Sequence, residues 1–242
     1  MKMNPHTTFN HNFFRLWILT GLLSSVLIQC ALPRQSEPEE GPQHRFESAI
    51  QAFEEMDRED PAPPGRILFV GSSSIRGWRT LEEDFDEYGV INRGFGGSEL
   101  PDVLHFFDRV VGPYQPRQIF LYEGDNDVAA GKSPDVIFAH FKIFVEEVRR
   151  KLPGTPMVFI SIKPSASRKE FIPAMATTNA LIKNYCVSQD DLTFVDIFHP
   201  MLNESGYPIG EIFKADSLHM NTAGYNLWQS IIAPYLLPEQ HP

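Results

Sequence analysis

Short apolar runs alternate with longer amphipathic segments along the chain from Arg66 onward. The apolar runs predict five strands, at residues 67–70, 90–92, 118–122, 157–160 and 192–195. The amphipathic segments predict helices at residues 46–56, 100–110, 133–151, 172–187 and 222–235, with one more beginning near Ser74. Continuous apolar strands separated by helices are typical of a parallel sheet covered on both faces. The pattern therefore predicts an α/β fold, a three-layer α/β/α sandwich around a five-stranded parallel sheet.

A different pattern occupies the N-terminal part of the chain. Residues 16–28 form a run of apolar or small residues after Arg15, too short to span a membrane comfortably and typical of a signal-peptide core. The sequence Leu27–Cys30 that follows resembles a bacterial lipobox, in which the cysteine is lipidated, although Gln29 stands where a small residue is usual.

These N-terminal features predict the organisation of the whole chain. We expect residues 1–30 to be a signal peptide, residues 31–45 to be a flexible tether and residues 46–242 to form one domain. Lipidation at Cys30, ordinary cleavage and an uncleaved anchor remain alternative fates of the signal. Each of them implies an exported protein, periplasmic or at the cell surface, and two of them attach it to a membrane.

Charge and composition exclude several classes of function. The 242-residue chain has a net charge of −10, and its first 30 residues contribute only positive charges, from Lys2 and Arg15. An acidic surface repels phosphate backbones, so we expect no nucleic-acid partner. The sequence contains no phosphate-binding loop and no CxxC or HExxH pattern, so we expect no cofactor and no metal. We expect Cys186, which lies in a helical pattern, to be a buried small apolar side chain.

Four segments rich in glycine and polar residues lie next to the predicted strands and the last helix. Gly71–Ser74 follows the first strand, Asn92–Gly97 the second and Gly124–Asp127 the third, while Asp216–His219 precedes the last helix. Ligands of doubly wound folds bind at the carboxyl ends of the strands. We therefore expect these four segments to meet at one edge of the sheet.

The same segments supply the groups that acyl transfer requires. A serine hydroxyl is a weak nucleophile and needs a base within hydrogen-bond reach, which His219 can provide for Ser73. Asp216, three residues before His219, can orient the imidazole and stabilise its charged form. The backbone N–H groups of Ser73 and Gly97 and the side-chain amide of Asn126 are candidate donors to the oxyanion.

The four segments resemble the sequence blocks of the SGNH (GDSL-like) hydrolase family, in the family's order. The matching positions are Gly71–Ser74, Gly97, Gly124–Asp127 and Asp216–His219. The first block of the family usually reads Gly-Asp-Ser-Leu, so its nucleophile maps to Ser73, and Ser72 replaces the usual aspartate. The resemblance covers roughly residues 66–235 and implies the flavodoxin-like SGNH hydrolase fold.

The resemblance also implies a function, a serine esterase of the acetylesterase type that works through an acyl-enzyme. The linking loops are short and leave no obvious lid, which favours short acyl groups such as acetyl on a carbohydrate. The expected partner is therefore a small-molecule or glycan ester. The alternatives are a lysophospholipase or thioesterase, an O-acyltransferase with the same machinery, and an inactive surface module that binds glycan.

Several loop residues also have a purely structural interpretation. Ser72 and Ser74 compete with Ser73 for the part of nucleophile, and a serine in this loop can simply cap the helix that follows. Asn126 can be a turn residue. We expect Asp127 to accept hydrogen bonds from backbone amides in its own loop, and Asp125 to face solvent or the rim of a pocket.

Other candidates lie outside the four blocks. His199 and His105 compete with His219 for the part of base, and the helical pattern around His105 favours a structural role. We expect packing or an ion pair, rather than substrate contact, for Arg76 and Trp78. Glu123 lies close enough to the end of the third strand to be considered for substrate contact, and we do not favour that role.

Overall fold

Five strands pair in parallel to form the sheet that the apolar runs predict. The computed structural model describes residues 44–238. The strands are β1 (Ile67–Gly71), β2 (Val90–Gly94), β3 (Gln118–Tyr122), β4 (Met157–Ile160) and β5 (Leu192–Val195). Their order in the sheet is β2-β1-β3-β4-β5, and each pair of neighbours is parallel. This is the flavodoxin-like strand order, so the predicted fold class is confirmed.

Helices connect the strands and cover the sheet. They are α1 (Glu47–Glu59), α2 (Ser73–Arg76), α3 (Leu81–Asp84), α4 (Leu100–His105), α5 (Phe107–Val110), α6 (Asp125–Ala129), α7 (Pro134–Lys151), α8 (Ile172–Val187) and α9 (Thr222–Ile232). Short 3₁₀ helices lie at Asp86–Tyr88, Gly112–Tyr114, Ala166–Phe171, His199–Met201, Gly210–Ile212 and Ala233–Tyr235.

Three of the predicted helices differ from those observed. The first was predicted at residues 46–56, but α1 continues to Glu59. The segment predicted as one helix at residues 100–110 is broken at Phe106, whose ψ of 11° is not helical. The break left no trace in the sequence pattern, because α4 and α5 bury apolar residues in the same core. The last helix ends at Ile232 rather than 235, because Pro234 has no N–H to continue the helical hydrogen bonds.

Alternate residues of β1 belong to two separate hydrophobic clusters, one on each face of the sheet. Leu68 and Val70 lie in the cluster that α1, α4, α5, α7 and α8 help to form. Ile67 and Phe69 lie in the cluster that includes residues of α2, α3 and α9. Both faces are therefore covered, as the continuous apolar strands predict.

Two residues with uncertain roles in the sequence are part of this packing. Trp78 is 1% exposed, and its indole N–H donates to a carboxylate oxygen of Asp84 at 2.6 Å, so it has the predicted structural role. Cys186 is a free, buried cysteine on α8. Burial raises the pKa of the Cys186 thiol to about 12, so it is an inert apolar side chain, as expected.

The strand order brings the loops after β1 and β3 together at one edge of the sheet. Strand β1 pairs with β2 on one side and β3 on the other, so the chain reverses its direction of growth here. Such a switch point is where doubly wound folds bind ligands. The last residue of β1 is a glycine, Gly71, because a side chain there would place its Cβ 2.1 Å from the carbonyl oxygen of Tyr122 on β3.

The predicted signal peptide, Cys30 and residues 31–43 of the predicted tether lie outside the described residues. Within residues 44–238, none of the helices combines the length and the apolar character that crossing a membrane requires. The first described contacts are made by His44 and Arg45, which both reach the carboxylate of Asp102.

Candidate active site

A hydroxyl, an imidazole and a carboxylate form a hydrogen-bonded chain. Ser73 Oγ lies 3.2 Å from His219 Nε2, and His219 Nδ1 lies 2.7 Å from Asp216 Oδ2. Ser73 and His219 are 146 residues apart in sequence, so only the fold brings them together. This arrangement allows the imidazole to remove the proton of the hydroxyl while the carboxylate fixes the orientation of the ring.

The turn that contains Asp216 prepares this carboxylate for the imidazole. Oδ1 of Asp216 accepts the backbone N–H groups of Leu218 and His219, both at 2.9 Å, which leaves Oδ2 for the ring. The hydrogen bond from the His219 ring, followed by the two backbone N–H groups, holds the pKa of Asp216 well below its usual value. The carboxylate therefore stays ionised beside the ring.

Among the three serines after β1, Ser73 alone combines exposure with a contact to His219. Ser72 and Ser74 are 1% and 2% exposed, whereas Ser73 is half-buried. Ser72 precedes α2 but makes no side-chain cap hydrogen bond to it. The geometry therefore favours Ser73 over its two neighbours as the nucleophile.

Asn126 lies beside the loop that carries Gly97. Its Nδ2 donates to the carbonyl oxygen of Ser98 at 2.8 Å, while its Oδ1 accepts from Arg168 at 2.9 Å. Gly97 is exposed and has a φ of +90°, a conformation that L side chains rarely adopt. The backbone N–H of Phe95 donates to the carbonyl oxygen of Gly71, which joins this loop to the start of the Ser73 loop.

Gly94 and Gly96 serve close packing. A Cβ at Gly94 would lie 2.4 Å from the backbone nitrogen of Arg76, and one at Gly96 would lie 2.6 Å from the Arg76 guanidinium carbon. The exposed Arg76 side chain therefore packs against the second glycine loop, which is the packing role expected for it, and forms no ion pair with another residue of 44–238.

The prediction for Asp125 is wrong. Asp125 is 4% exposed, and its two carboxylate oxygens pair with Lys163 and Arg168, each at 2.5 Å. Burial alone would strongly favour the neutral acid, but the charges and hydrogen bonds of these two cations lower the pKa of Asp125. The Asp125 side chain points into the protein because it forms ion pairs there with Lys163 and Arg168, both from the segment after β4.

Asp127 is structural, as expected: its carboxylate interacts with backbone N–H groups of its own loop, at Gly124 and Asp127, and it also has a partner outside that loop. Oδ2 of Asp127 accepts the backbone N–H of Leu100 at 3.2 Å and so anchors the first turn of α4. Burial raises the pKa of Asp127 to about 6. The nearest cation in the described part of the chain is Lys132, whose Nζ lies 3.5 Å from Oδ1.

Glu123 is fully buried behind the second glycine loop and cannot touch a substrate. Its Oε1 lies 2.5 Å from the hydroxyl oxygen of Ser98, which also lies 2.9 Å from the carbonyl oxygen of Phe95. Burial, reinforced by the nearby charge of Asp127, raises the pKa of Glu123 well above its usual value. A neutral Glu123 can donate to Ser98, whose single hydrogen is then free for Phe95.

Replacing Glu123 with glutamine is expected to reduce the pH dependence of stability. Above the ordinary glutamate pKa, the unfolded chain loses the proton of Glu123 while the folded chain keeps it. The contribution of Glu123 to the free energy of unfolding therefore decreases with rising pH. The decrease stops when the folded carboxyl also ionises. Relative to the native chain, the unfolding equilibrium constant of Glu123→Gln should fall by up to about tenfold per pH unit, so the variant gains relative stability as pH rises.

Denaturant unfolding of both proteins at pH 5, 6, 7 and 8 measures this difference. The matched control is Glu204→Gln on an exposed turn, which should show no trend with pH. A constant difference between Glu123→Gln and the native chain across this range would mean that Glu123 is ionised in the folded protein.

The two competing histidines do not contact Ser73. The side chain of His199 is 76% exposed, and its Nδ1 lies 2.6 Å from Asp196 Oδ2. This pair has the same Asp-x-x-His spacing as Asp216 and His219, but no serine of residues 44–238 lies within hydrogen-bond reach of His199. His105 stacks on His44, with ring centroids 4.7 Å apart, so it has the structural role that its helical pattern favours.

The sequence did not single out three side chains around Asn126, namely Ser98, Lys163 and Arg168. Lys163 and Arg168 follow β4 at the edge of the sheet where the candidate residues gather, so their position was a signal that could have been used. Within residues 44–238, no group of three or more His, Cys, Asp and Glu side chains is placed to hold a metal ion.

The candidate residues lie within a stretch of sequence that matches a known family. The model of the GDSL-like lipase/acylhydrolase family matches residues 67–227, which is more than half of the chain and includes Ser73, Gly97, Asn126, Asp216 and His219. The chain belongs to this family. The resemblance seen in the sequence blocks is confirmed, and this acylhydrolase is a carboxylic ester hydrolase of the SGNH type.

Solved structures with the same fold come from several bacteria. A proposed acylhydrolase from Bacteroides fragilis superposes with a TM-score of 0.70 at 22% identity, over 81% of this chain and 98% of that one. A GDSL-like lipase from Bacteroides thetaiotaomicron gives 0.66 at 22% identity, over 77% and 96% of the two chains. A catalytic mutant of an acetylxylan esterase from Geobacillus stearothermophilus gives 0.58 at 15% identity, over 74% and 96%. A search of the curated proteins gave no significant match.

Proposed function

We propose that this acylhydrolase cleaves its ester through an acyl-enzyme on Ser73. His219 removes the proton of Ser73 Oγ as the oxygen attacks the carbonyl carbon, and then gives that proton to the departing alcohol. A water molecule, deprotonated by His219, releases the acid and restores Ser73. The observation that carries this proposal is the chain of contacts from Ser73 Oγ through the imidazole to Asp216.

The developing oxyanion needs donors that are already in place. We propose the backbone N–H groups of Ser73 and Gly97 together with Nδ2 of Asn126 for this purpose. One hydrogen of Nδ2 bonds to Ser98, which leaves the second available. The positive φ of Gly97 supports the role, because it sets a backbone direction that other residues would adopt only with strain.

The substrate that we propose is a short-chain acyl ester of a carbohydrate, such as an acetylated glycan. The side chains of His219 and Asp216 are 36% and 48% exposed, so the site is open to a bulky alcohol. An open site offers little apolar surface to a long acyl chain. The shared fold with an acetylxylan esterase is consistent with this class, although the identity of 15% supports the fold alone.

Four measurements test the reaction and the substrate class. Rates with p-nitrophenyl esters should decline as the acyl chain lengthens from acetate to dodecanoate. Acetate should also be released from acetylated xylo-oligosaccharides. A preference for long chains would instead indicate a lysophospholipase. A fluorophosphonate probe should label the native chain at Ser73, and failure to label it would favour an inactive glycan-binding module. Acylated products that form only when an acceptor sugar is added would indicate an O-acyltransferase.

We also propose that the protein is exported and acts outside the cytoplasm, where glycans are met. The support is the apolar run at residues 16–28 with Cys30 at the end of the lipobox-like sequence. The intact mass of protein extracted from the membrane fraction would distinguish a lipidated Cys30 from a cleaved signal or a retained anchor.

A further inference from the structure

The loop after β4 contacts both parts of the candidate site. The backbone N–H of Ser167 donates to the carbonyl oxygen of Ser217 at 3.2 Å, inside the turn that carries Asp216 and His219. The next residue, Arg168, reaches the third block, where its guanidinium donates to Asp125 and Asn126. A single short segment therefore joins the acid–histidine turn to the proposed oxyanion donor.

The contacts of Arg168 determine which way the Asn126 amide points. A guanidinium has donors only, so the atom of Asn126 that it faces at 2.9 Å must be Oδ1. On the other side, the carbonyl oxygen of Ser98 is an acceptor, so the atom of Asn126 that it faces must be Nδ2. Two independent contacts therefore agree on one orientation, in which a second N–H of Nδ2 is available.

The ion cluster that contacts Asn126 and Asp125 carries a net positive charge. Lys163 is 1% exposed and pairs with Asp125, and Arg168 pairs with the same carboxylate from its other side. Two cations and one anion leave a net positive charge beside the Asn126 amide, where poor solvation strengthens its effect. Donation to Oδ1 also polarises the amide, which makes its N–H groups better donors.

We propose that Arg168 is a positioning residue that acts through Asn126, orienting and polarising the amide for the oxyanion. Arg168 does not touch the substrate in this role. The inference rests on the proposed function, because it requires Asn126 to bind the oxyanion. It also predicts that Arg168 matters only while the Asn126 amide is present.

A double-mutant cycle tests this dependence. Arg168→Ala is expected to lower kcat for p-nitrophenyl acetate about 10–100-fold with little change in KM, less than the about 10²–10³-fold expected for losing the donor itself. In a protein that already carries Asn126→Ala, the Arg168→Ala change should cost less than about threefold. Equal losses in both backgrounds would overturn the proposal.

Matched variants separate positioning from folding and from general charge. Lys169→Ala removes an exposed positive charge from the adjacent position and is expected to leave kcat unchanged. Arg168→Lys keeps a cationic donor on a side chain only about one bond shorter, so it should recover part of the activity and serves if Arg168→Ala does not fold. Activity of Arg168→Lys no higher than that of a folded Arg168→Ala would contradict the orienting role.

The side-chain amide of Asn126 gives a readout that does not depend on turnover. In NMR spectra its two N–H signals are expected to shift, and to exchange faster with water, when Arg168 is replaced by alanine. Unchanged signals would refute the positioning role even if the protein is an active esterase. A native chain that hydrolyses no ester and does not react with the fluorophosphonate would refute the proposed function instead.

Discussion

Replacing Ser73 with alanine is expected to remove nearly all ester hydrolysis, lowering kcat by about 10⁴-fold or more. Without the hydroxyl, no acyl-enzyme can form, and His219 has no proton to remove. The contact described for Ser73 Oγ is with His219, so the fold should be unaffected. Steady-state rates with p-nitrophenyl acetate measure the loss, and thermal unfolding checks the fold.

The neighbouring serine provides the control. Ser74→Ala changes a buried hydroxyl one residue away and is expected to keep most of the activity. His219→Ala should lose about as much activity as Ser73→Ala, and the double variant should lose little more, because the two side chains act as one unit. Substantial turnover in Ser73→Ala, or losses that multiply in the double variant, would contradict the assignment.

Replacing Asn126 with alanine is expected to lower kcat by about 10²–10³-fold, the usual cost of one oxyanion donor. KM should change little, because the negative charge on the carbonyl oxygen develops only in the transition state. A trifluoromethyl ketone inhibitor, whose adduct with serine carries a similar oxyanion, should lose affinity in parallel. Both quantities can be measured on the same variant.

The contrary result for Asn126 is equally clear. If Asn126→Ala raises KM and leaves kcat intact, the amide contributes to substrate binding but not to the oxyanion. Since Asn126 also bonds to Ser98, thermal unfolding should be compared with that of the native chain. If activity falls only because less protein is folded, Asn126 is a structural turn residue rather than an oxyanion donor.

The sheet was predictable because its strands carry a signal that does not depend on distant residues. Each predicted strand lies at the observed position, since a strand buried on both faces reads as a continuous apolar run. The short helices were less predictable. The break at Phe106 lies between two turns that face the same core, so the periodicity runs through it.

The meeting of Ser73, Asp216 and His219 could be expected from the four blocks and their positions at strand ends. The surroundings of Asn126 could not, because they depend on contacts across the chain. Asp125 was expected near solvent, yet its partners lie 38 and 43 residues further along the sequence. A sequence pattern shows which polar residues follow a strand, but not which distant cation will form a buried ion pair with them.

The strand order has a consequence for how firmly each part of the site is held. Strands β1 and β3, which precede Ser73 and Asn126, each have neighbours on both sides, whereas His219 lies in a turn outside the sheet. Segments outside the central strands generally open at lower cost than the strands themselves. The backbone around His219 is therefore expected to open at lower cost than β1 and β3, which hold the nucleophile and the amide.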